Sequence, residues 1–123
     1  MSKATVLITG AGIGIGHCSA LAFAAAGYHV YVTDVLDSEG AETVSAIEAA
    51  GGTAEFHHVD VTDTANVNAA VKTAEDATGA LDAVVANAGI AHKVPLDEMT
   101  DEKWAHTLDV DLTGVFRLCR AAS

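Results

Sequence analysis

The stretch ATVLITGAGIGIG, residues 4–16, decides the fold. Its first part, residues 4–9, is an apolar, β-branched run that predicts a buried strand. Glycines follow at once, and the Ala-rich segment 14–26, closed by Gly27, predicts a helix. A buried strand that passes through a glycine turn into a helix is the typical opening unit of a parallel α/β sheet.

Strand and helix patterns alternate along the rest of the chain. Apolar runs predict strands at 28–33, 54–59 and 81–86. Amphipathic segments predict a helix at 38–50 and a second one that begins at a cap, Thr62 or Asp63, and ends at 78. A last helix is predicted from about Asp101, with Thr100 as its cap, to the C-terminus. Crossovers of this length require parallel strands. We therefore predict a single α/β domain over residues 1–123, a doubly wound parallel sheet of about four strands in three α/β/α layers.

Composition limits the function classes. The 123 residues suffice for one domain, and the formal net charge of −11, with six scattered Lys and Arg, argues against a nucleic acid or an anionic membrane as partner. There is no signal-peptide pattern and no apolar run of the roughly 20 residues that span a bilayer. We expect a cytoplasmic protein with a small-molecule substrate, no metal, and two buried free thiols, Cys18 and Cys119.

The glycine loop has the features of a phosphate-binding turn. Gly10 permits a sharp turn off the strand, Gly14 permits close approach of a pyrophosphate, and Gly16 permits the helix to pack closely on the sheet. The helix N-terminus offers free amides and the positive end of its dipole, which suits a chain poor in cations. The phosphate loop of ATPases is excluded because no Lys-Ser or Lys-Thr pair follows. The alternative is a glycine-rich turn without a ligand.

Asp34 follows the second predicted strand. A carboxylate there can accept hydrogen bonds from both hydroxyls of an adenosine ribose and would repel a 2′-phosphate. Ile13, before Gly14, offers that phosphate no positive charge either. These residues favour NAD over NADP; the alternative for Asp34 is a helix cap or a surface acid.

Four motifs in order resemble the short-chain dehydrogenase/reductase family over essentially the whole chain. The family patterns are T-G-x-x-x-G-x-G, matched by residues 9–16, an acid after the second strand, an Asp-Val pair that contacts adenine, and N-A-G after the fourth strand, here preceded by Ala86 where Asn is frequent. The resemblance implies a Rossmann-type fold and a nicotinamide cofactor beside Gly10, Gly12, Ile13, Gly14, Ile15, Gly16, Asp34, Val35, Asp60, Val61, Asn87, Ala88 and Gly89.

The last predicted helix resembles the family's fifth, whose V-N-L-x-G-x-F pattern contains an Asn that supports a proton-relaying water. Asp111 stands at that Asn position. The exchange is nearly isosteric but replaces an amide with an anion. Two interpretations remain open: Asp111 still holds the water and takes part in catalysis, or it only bends and solvates the helix.

The resemblance implies an oxidoreductase that transfers a hydride between the nicotinamide and a secondary alcohol or ketone. The family uses a Tyr as acid/base, a Lys that lowers the Tyr pKa, and a Ser. The Ser and Tyr-x-x-x-Lys segment is absent here, so we expect the N-terminal part of a longer enzyme, inactive alone. A non-catalytic nucleotide-binding or regulatory homologue, or a purely structural fragment, is the alternative. The family implies a dimer or tetramer formed through the helix from Asp101.

Overall fold

The computed structural model describes residues 3–123. The strands are β1 (Thr5–Ile8), β2 (His29–Asp34), β3 (Thr53–His58) and β4 (Ala83–Val85). The helices are α1 (Gly14–Ala25), α2 (Asp37–Ala49), α3 (Thr64–Thr78), α4 (Asp101–Leu108) and α5 (Gly114–Ala122). A short 3₁₀ turn, Leu96–Glu98, precedes α4, and a π-helical turn, Asp109–Thr113, joins α4 to α5.

The strands lie in the order β3-β2-β1-β4, and every neighbouring pair is parallel. The chain leaves β1 toward β2 on one side and later returns to β4 on the other. The strand order therefore reverses between β1 and β4, where open α/β sheets bind their ligands beyond the carboxyl ends of the strands. The predicted doubly wound sheet is confirmed.

Helices cover both faces of the sheet because successive strand residues point to opposite sides. Leu7 and Tyr31 pack with α3 and α5 in one apolar cluster. Val6 and Ile8 pack with α1 and α2 in the other. All of β1 is buried, so the strand that precedes the glycine loop is fixed from both faces.

Strand β4 is shorter than the predicted 81–86. It pairs with β1 only through Ala83, Val84 and Val85. Before it, the Asp82 carboxylate accepts a hydrogen bond from the Thr5 amide at 2.7 Å. The Asp82 side chain thus takes the backbone donor that a longer ladder would use, and pairing starts two residues later than predicted.

The expectation of buried cysteines is wrong, because Cys18 and Cys119 are both exposed. Helix α1 buries Gly16 and Ala20, which lie one turn apart. Cys18 lies halfway between them and so faces away from the sheet. Cys119 follows the buried Leu118 and is turned outward in α5.

No helix within residues 3–123 combines the length and the apolar character needed to cross a membrane.

Candidate functional site

A cavity of about 660 Å³ opens where the carboxyl ends of the four strands meet. Ten of the residues predicted to bind a cofactor line it: Gly10, Ile13, Ile15, Asp34, Val35, Asp60, Val61, Asn87, Ala88 and Gly89. The other five lining residues are Leu36, Val59, Ile90, His106 and Val110. The fold therefore brings the segments that follow all four strands to one cavity.

Gly12, Gly14 and Gly16, also predicted to bind the cofactor, shape the glycine loop but do not line the cavity. Gly12 is buried, and its amide donates to the Asp34 Oδ2 at 2.8 Å. Gly14 has φ +59°, and a Cβ built there meets nothing within 4 Å, so its backbone is open to approach. A Cβ on Gly16 would overlap the carbonyl oxygen of Gly10, so close packing of α1 requires glycine there.

Helix α1 begins at the cavity without a capping side chain. Ile13, in extended conformation, holds the N-cap position, and the first turn contains no acidic residue. The start of α2 has no capping side chain either, but its first turn contains Asp37 and Glu39. At α3 and α4, Asp63 accepts from the Asn66 amide at 3.1 Å and Thr100 accepts from the Lys103 amide at 3.1 Å. The free N–H groups and dipole of α1 are therefore left to an anion from outside the chain.

Asp34 is buried at the end of β2, with 7% of its surface exposed. Besides the Gly12 contact, its Oδ1 accepts from the Leu36 amide at 3.1 Å. Leu36, and not Asp34, holds the N-cap position of α2. Asp34 is thus neither a surface acid nor that helix cap; it joins the glycine loop to the end of β2 with a carboxylate that borders the cavity.

Asp60 holds the turn after β3. Its Oδ1 accepts from the Thr62 amide at 2.9 Å and from the Thr62 hydroxyl at 2.7 Å. These hydrogen bonds to the charged form lower the pKa of Asp60 below its usual value. The Asp60 amide donates to the Asn66 Oδ1 at 2.7 Å, which fixes the turn against α3.

Asn87 fastens the segment after β4 to the end of β1. Its Nδ2 donates to the carbonyl oxygens of Thr9 at 3.1 Å and Gly10 at 3.2 Å. In return, the Thr9 Oγ1 accepts from the amides of Asn87 and Ala88, each at 3.1 Å. These mutual hydrogen bonds hold the segments that follow β1 and β4 at a fixed distance from each other, at the point where the strand order reverses.

Asp111 lies in the π-helical turn, outside the cavity lining. Its Oδ1 accepts from the Ile90 amide at 2.8 Å, and the residue is otherwise exposed. It therefore joins the loop after β4 to the helical segment.

The five unpredicted lining residues fall into two groups. Leu36, Val59 and Ile90 each lie beside a predicted motif residue, so extending the motifs by one or two residues would have found them. His106 and Val110 lie four residues apart, on one face of the last helical segment. Which face meets the cavity depends on how that segment docks, which motif spacing does not report.

The described residues, 3–123, contain no group of three or more His, Cys, Asp or Glu side chains placed to hold a metal ion.

Comparison with known proteins gives consistent matches. The short chain dehydrogenase family model matches residues 4–123. The 3beta-hydroxysteroid dehydrogenase 1 of Eggerthella lenta is 43% identical over 119 residues, which is 96% of this chain and 46% of that protein. L-2,3-butanediol dehydrogenase of Corynebacterium glutamicum is 40% identical over 125 residues, 100% of this chain and 48% of that protein.

A solved structure shows the same architecture. The crystal structure of a short chain dehydrogenase from Mycobacterium smegmatis has a TM-score of 0.91 and 36% identity, over 98% of this chain and 51% of that one. The chain thus spans about half the length of the relatives it matches.

Proposed function

The chain belongs to the short-chain dehydrogenase family, and on that premise we propose that it supplies the NAD site of an oxidoreductase acting on a secondary alcohol or ketone. The observation that carries the proposal is the uncapped start of α1 beside a cavity that also contains the buried Asp34 carboxylate. The names of the two relatives, a hydroxysteroid and a butanediol dehydrogenase, support a hydroxyl or keto substrate. The activity is proposed for the complete gene product.

NAD, when bound, supplies the hydride acceptor, and the residues of this chain hold it. The free amides at the start of α1 receive the pyrophosphate, since no side chain competes for them. Asp34 has lone pairs left for ribose hydroxyls after accepting from two backbone amides. Ala88 and Gly89, fixed by Asn87 and Thr9, form the wall on the β4 side.

The charge around Asp34 favours NAD over NADP. A 2′-phosphate on the ribose would meet the Asp34 carboxylate. Its neighbours along the cavity, Ile13, Val35 and Leu36, are apolar, and no Lys or Arg is among the lining residues within 3–123. The 2′-phosphate of NADP would therefore lose its hydration shell without gaining a positively charged partner.

Titration calorimetry with NAD and NADP tests the proposal on the wild type, Asp34→Asn and Asp34→Ala. We expect the wild type to prefer NAD and both variants to bind NAD less tightly. Loss of a charge-assisted hydrogen bond of about 1.5–3 kcal/mol corresponds to roughly tenfold to a hundredfold weaker binding. The handicap of NADP relative to NAD should shrink in both variants.

Asp34→Asn is the sharper variant because its amide oxygen can still accept from the Gly12 amide, so that only the Leu36 amide loses its acceptor, whereas Asp34→Ala leaves both amides unpaired. Asp97→Asn, an exposed acid outside the cavity, is the control and should change nothing. Equal NAD affinity in wild type and Asp34→Asn would remove Asp34 from the ribose site. A wild type that binds no NAD would overturn the proposal itself.

We further propose that Asp111 positions the loop after β4 and that the protein self-associates through the helical segment from Asp101. The first proposal rests on the hydrogen bond from the Ile90 amide to Asp111. The second rests on exposed large apolar side chains along α4 and α5.

A further inference from the structure

Arg117, in α5, bonds to three separate parts of the chain. Its Nη2 lies 2.7 Å from the Asp109 Oδ1 in the π-helical turn. Its Nη1 donates to the carbonyl oxygens of Val61 at 2.9 Å and Asp109 at 3.3 Å, and its Nε donates to the Thr64 Oγ1 at 3.2 Å. The Arg117 side chain is only 14% exposed, and its bonds to the two carbonyl oxygens are partly buried.

The partners of Arg117 belong to two segments that line the cavity. Val61 lines the cavity after β3, and Val110, which follows Asp109, lines it from the π-helical turn. A Cβ on Gly114 would come within 2.7 Å of the Val61 Cγ2, so the start of α5 packs closely against the segment after β3. Arg117 itself is not among the lining residues. It acts on the cavity only through the backbone segments that it joins.

A guanidinium suits this position better than an ammonium. Its planar fork donates in several fixed directions, here to one carboxylate, two carbonyl oxygens and a hydroxyl. The Asp109 carbonyl oxygen also accepts the Gly114 amide, the bond that makes this turn π-helical. Arg117 thus pairs with the Asp109 carboxylate and also donates to the Asp109 carbonyl oxygen in the π-helical turn.

We propose that Arg117 is a positioning residue for the adenosine half of the bound cofactor. This inference rests on the proposed function. Asp34, the proposed ribose ligand, ends β2, and β3 is the next strand outward, so the adenine lies toward Val61. By holding the Val61 and Val110 segments at one spacing, Arg117 keeps this part of the cavity formed before the cofactor arrives, which reduces the ordering cost of binding.

The test compares Arg117→Met, Arg117→Lys and the control Arg120→Met in the complete gene product. Arg120 lies on the same helix with its guanidinium over the Phe116 ring, 4.7 Å from its centre, and touches no cavity wall. We measure Kd for NAD and for ADP-ribose, which lacks the nicotinamide, together with KM for NAD and kcat.

In Arg117→Met we expect both NAD and ADP-ribose to bind about tenfold more weakly, the equivalent of one charge-assisted hydrogen bond. KM for NAD should rise by the same factor while kcat at saturating NAD is unchanged. Arg117→Lys should recover only part of the affinity, and Arg120→Met should match the wild type.

A lower melting temperature of Arg117→Met with unchanged ADP-ribose affinity would show a structural role only and overturn the inference. If Arg117→Met fails to fold, Asp109→Asn takes its place, since it removes the charge pair and keeps an acceptor; unchanged ADP-ribose affinity there is equally contrary. A wild type that binds neither NAD nor ADP-ribose overturns the proposed function and this inference together. Wild-type binding with unaffected variants overturns this inference alone.

Discussion

Asp111 makes a hydrogen bond that bears on both interpretations of this residue. Its Oδ1 accepts the Ile90 amide, an acceptor role that Asn can fill equally well. The structure therefore gives Asp111 a definite contact with the loop after β4, beyond bending or solvating the helix. The Asp111 carboxylate cannot donate a hydrogen bond. A group that would accept one from an Asn amide at this position therefore has no donor here.

We predict that Asp111→Ala destabilises the loop after β4 and that Asp111→Asn does not. The alanine variant leaves the Ile90 amide without this acceptor, and because the site is exposed, water replaces part of the bond. We expect the free energy of unfolding to fall by about 1 kcal/mol and NAD to bind a few-fold more weakly. Urea titration and calorimetry measure both quantities.

Asp111→Asn should keep the wild-type stability and NAD affinity, because its amide oxygen still accepts. Asp97→Ala, at an exposed acid outside the cavity, serves as the control for loss of charge. Equal stability and affinity in Asp111→Ala and wild type would show that the Ile90 contact contributes nothing.

The position of individual residues at the cavity was predictable where a motif falls at a strand end. Asp34, Asp60 and Asn87 each follow an apolar run, and parallel strands bring their carboxyl ends to one edge. The exposure of Cys18 was not predictable in the same way. Helix α1 is apolar nearly all round, so its sequence does not indicate which face packs on the sheet.

At the scale of whole elements, the helix N-termini differ in how their free amides are satisfied. The side chains of Asp63 and Thr100 cap α3 and α4, α2 lacks a side-chain cap but has two acids in its first turn, and α1 at the cavity has neither. A good N-cap contributes typically about 1 kcal/mol to stability. The absence of one at α1 therefore gives up stability at the position where a phosphate would take the role of the cap.

We predict that Ile13→Asp stabilises the free protein and weakens NAD binding. Ile13 occupies the N-cap position in extended conformation and is exposed, so an aspartate there can accept from the first amides of α1. The gain should be about 1 kcal/mol in free energy of unfolding. The same carboxylate competes with the pyrophosphate and repels it, so the Kd for NAD should rise at least roughly tenfold.

Ile13→Ala is the matched control, since it removes the same side chain without adding a cap. Thr100→Ala removes a cap elsewhere and should lower stability by about 1 kcal/mol with NAD affinity unchanged. Urea titration of the free protein and calorimetry with NAD give the two readouts. Unimpaired NAD binding in Ile13→Asp would show that the start of α1 does not receive the pyrophosphate.

Element starts were largely predictable because caps and glycines are local signals. Asp63 and Thr100 cap their helices as expected, and Gly79 ends α3 with φ +81°. The π-helical turn at Asp109–Thr113 was not predicted, because residues 101–122 keep a helical pattern throughout. One extra residue in a turn changes hydrogen-bond partners, here Gly114 to Asp109, without a marker in the sequence.

At the scale of the whole molecule, one surface is unlike the rest of this acidic chain. Its large apolar side chains recur every four residues, at Trp104, Leu108, Leu112 and Phe116, and all are exposed. In an α-helix of 3.6 residues per turn, four residues exceed one turn, so such a row drifts around the axis. The wider π-helical turn between Leu108 and Leu112 offsets that drift and keeps the row along one side.

A continuous exposed apolar row favours burial against a second copy of the chain, and we predict that the protein forms a dimer or tetramer through it. In a symmetric interface one substitution enters twice. Leu112→Glu, at a side chain 66% exposed, should therefore bury two unpaired charges and weaken association by about 3 kcal/mol or more, roughly a hundredfold in Kd. Sedimentation equilibrium over a range of concentrations measures the shift.

Leu96→Glu is the matched control. Leu96 is 91% exposed but lies in the 3₁₀ turn before α4, outside the row, so its substitution should leave association unchanged. A competing surface is the free edge of β4, which within residues 3–123 pairs only with β1 and could add a strand from another chain. Association that survives Leu112→Glu would point to that edge and contradict the helical interface, as would a wild type that stays monomeric at every concentration.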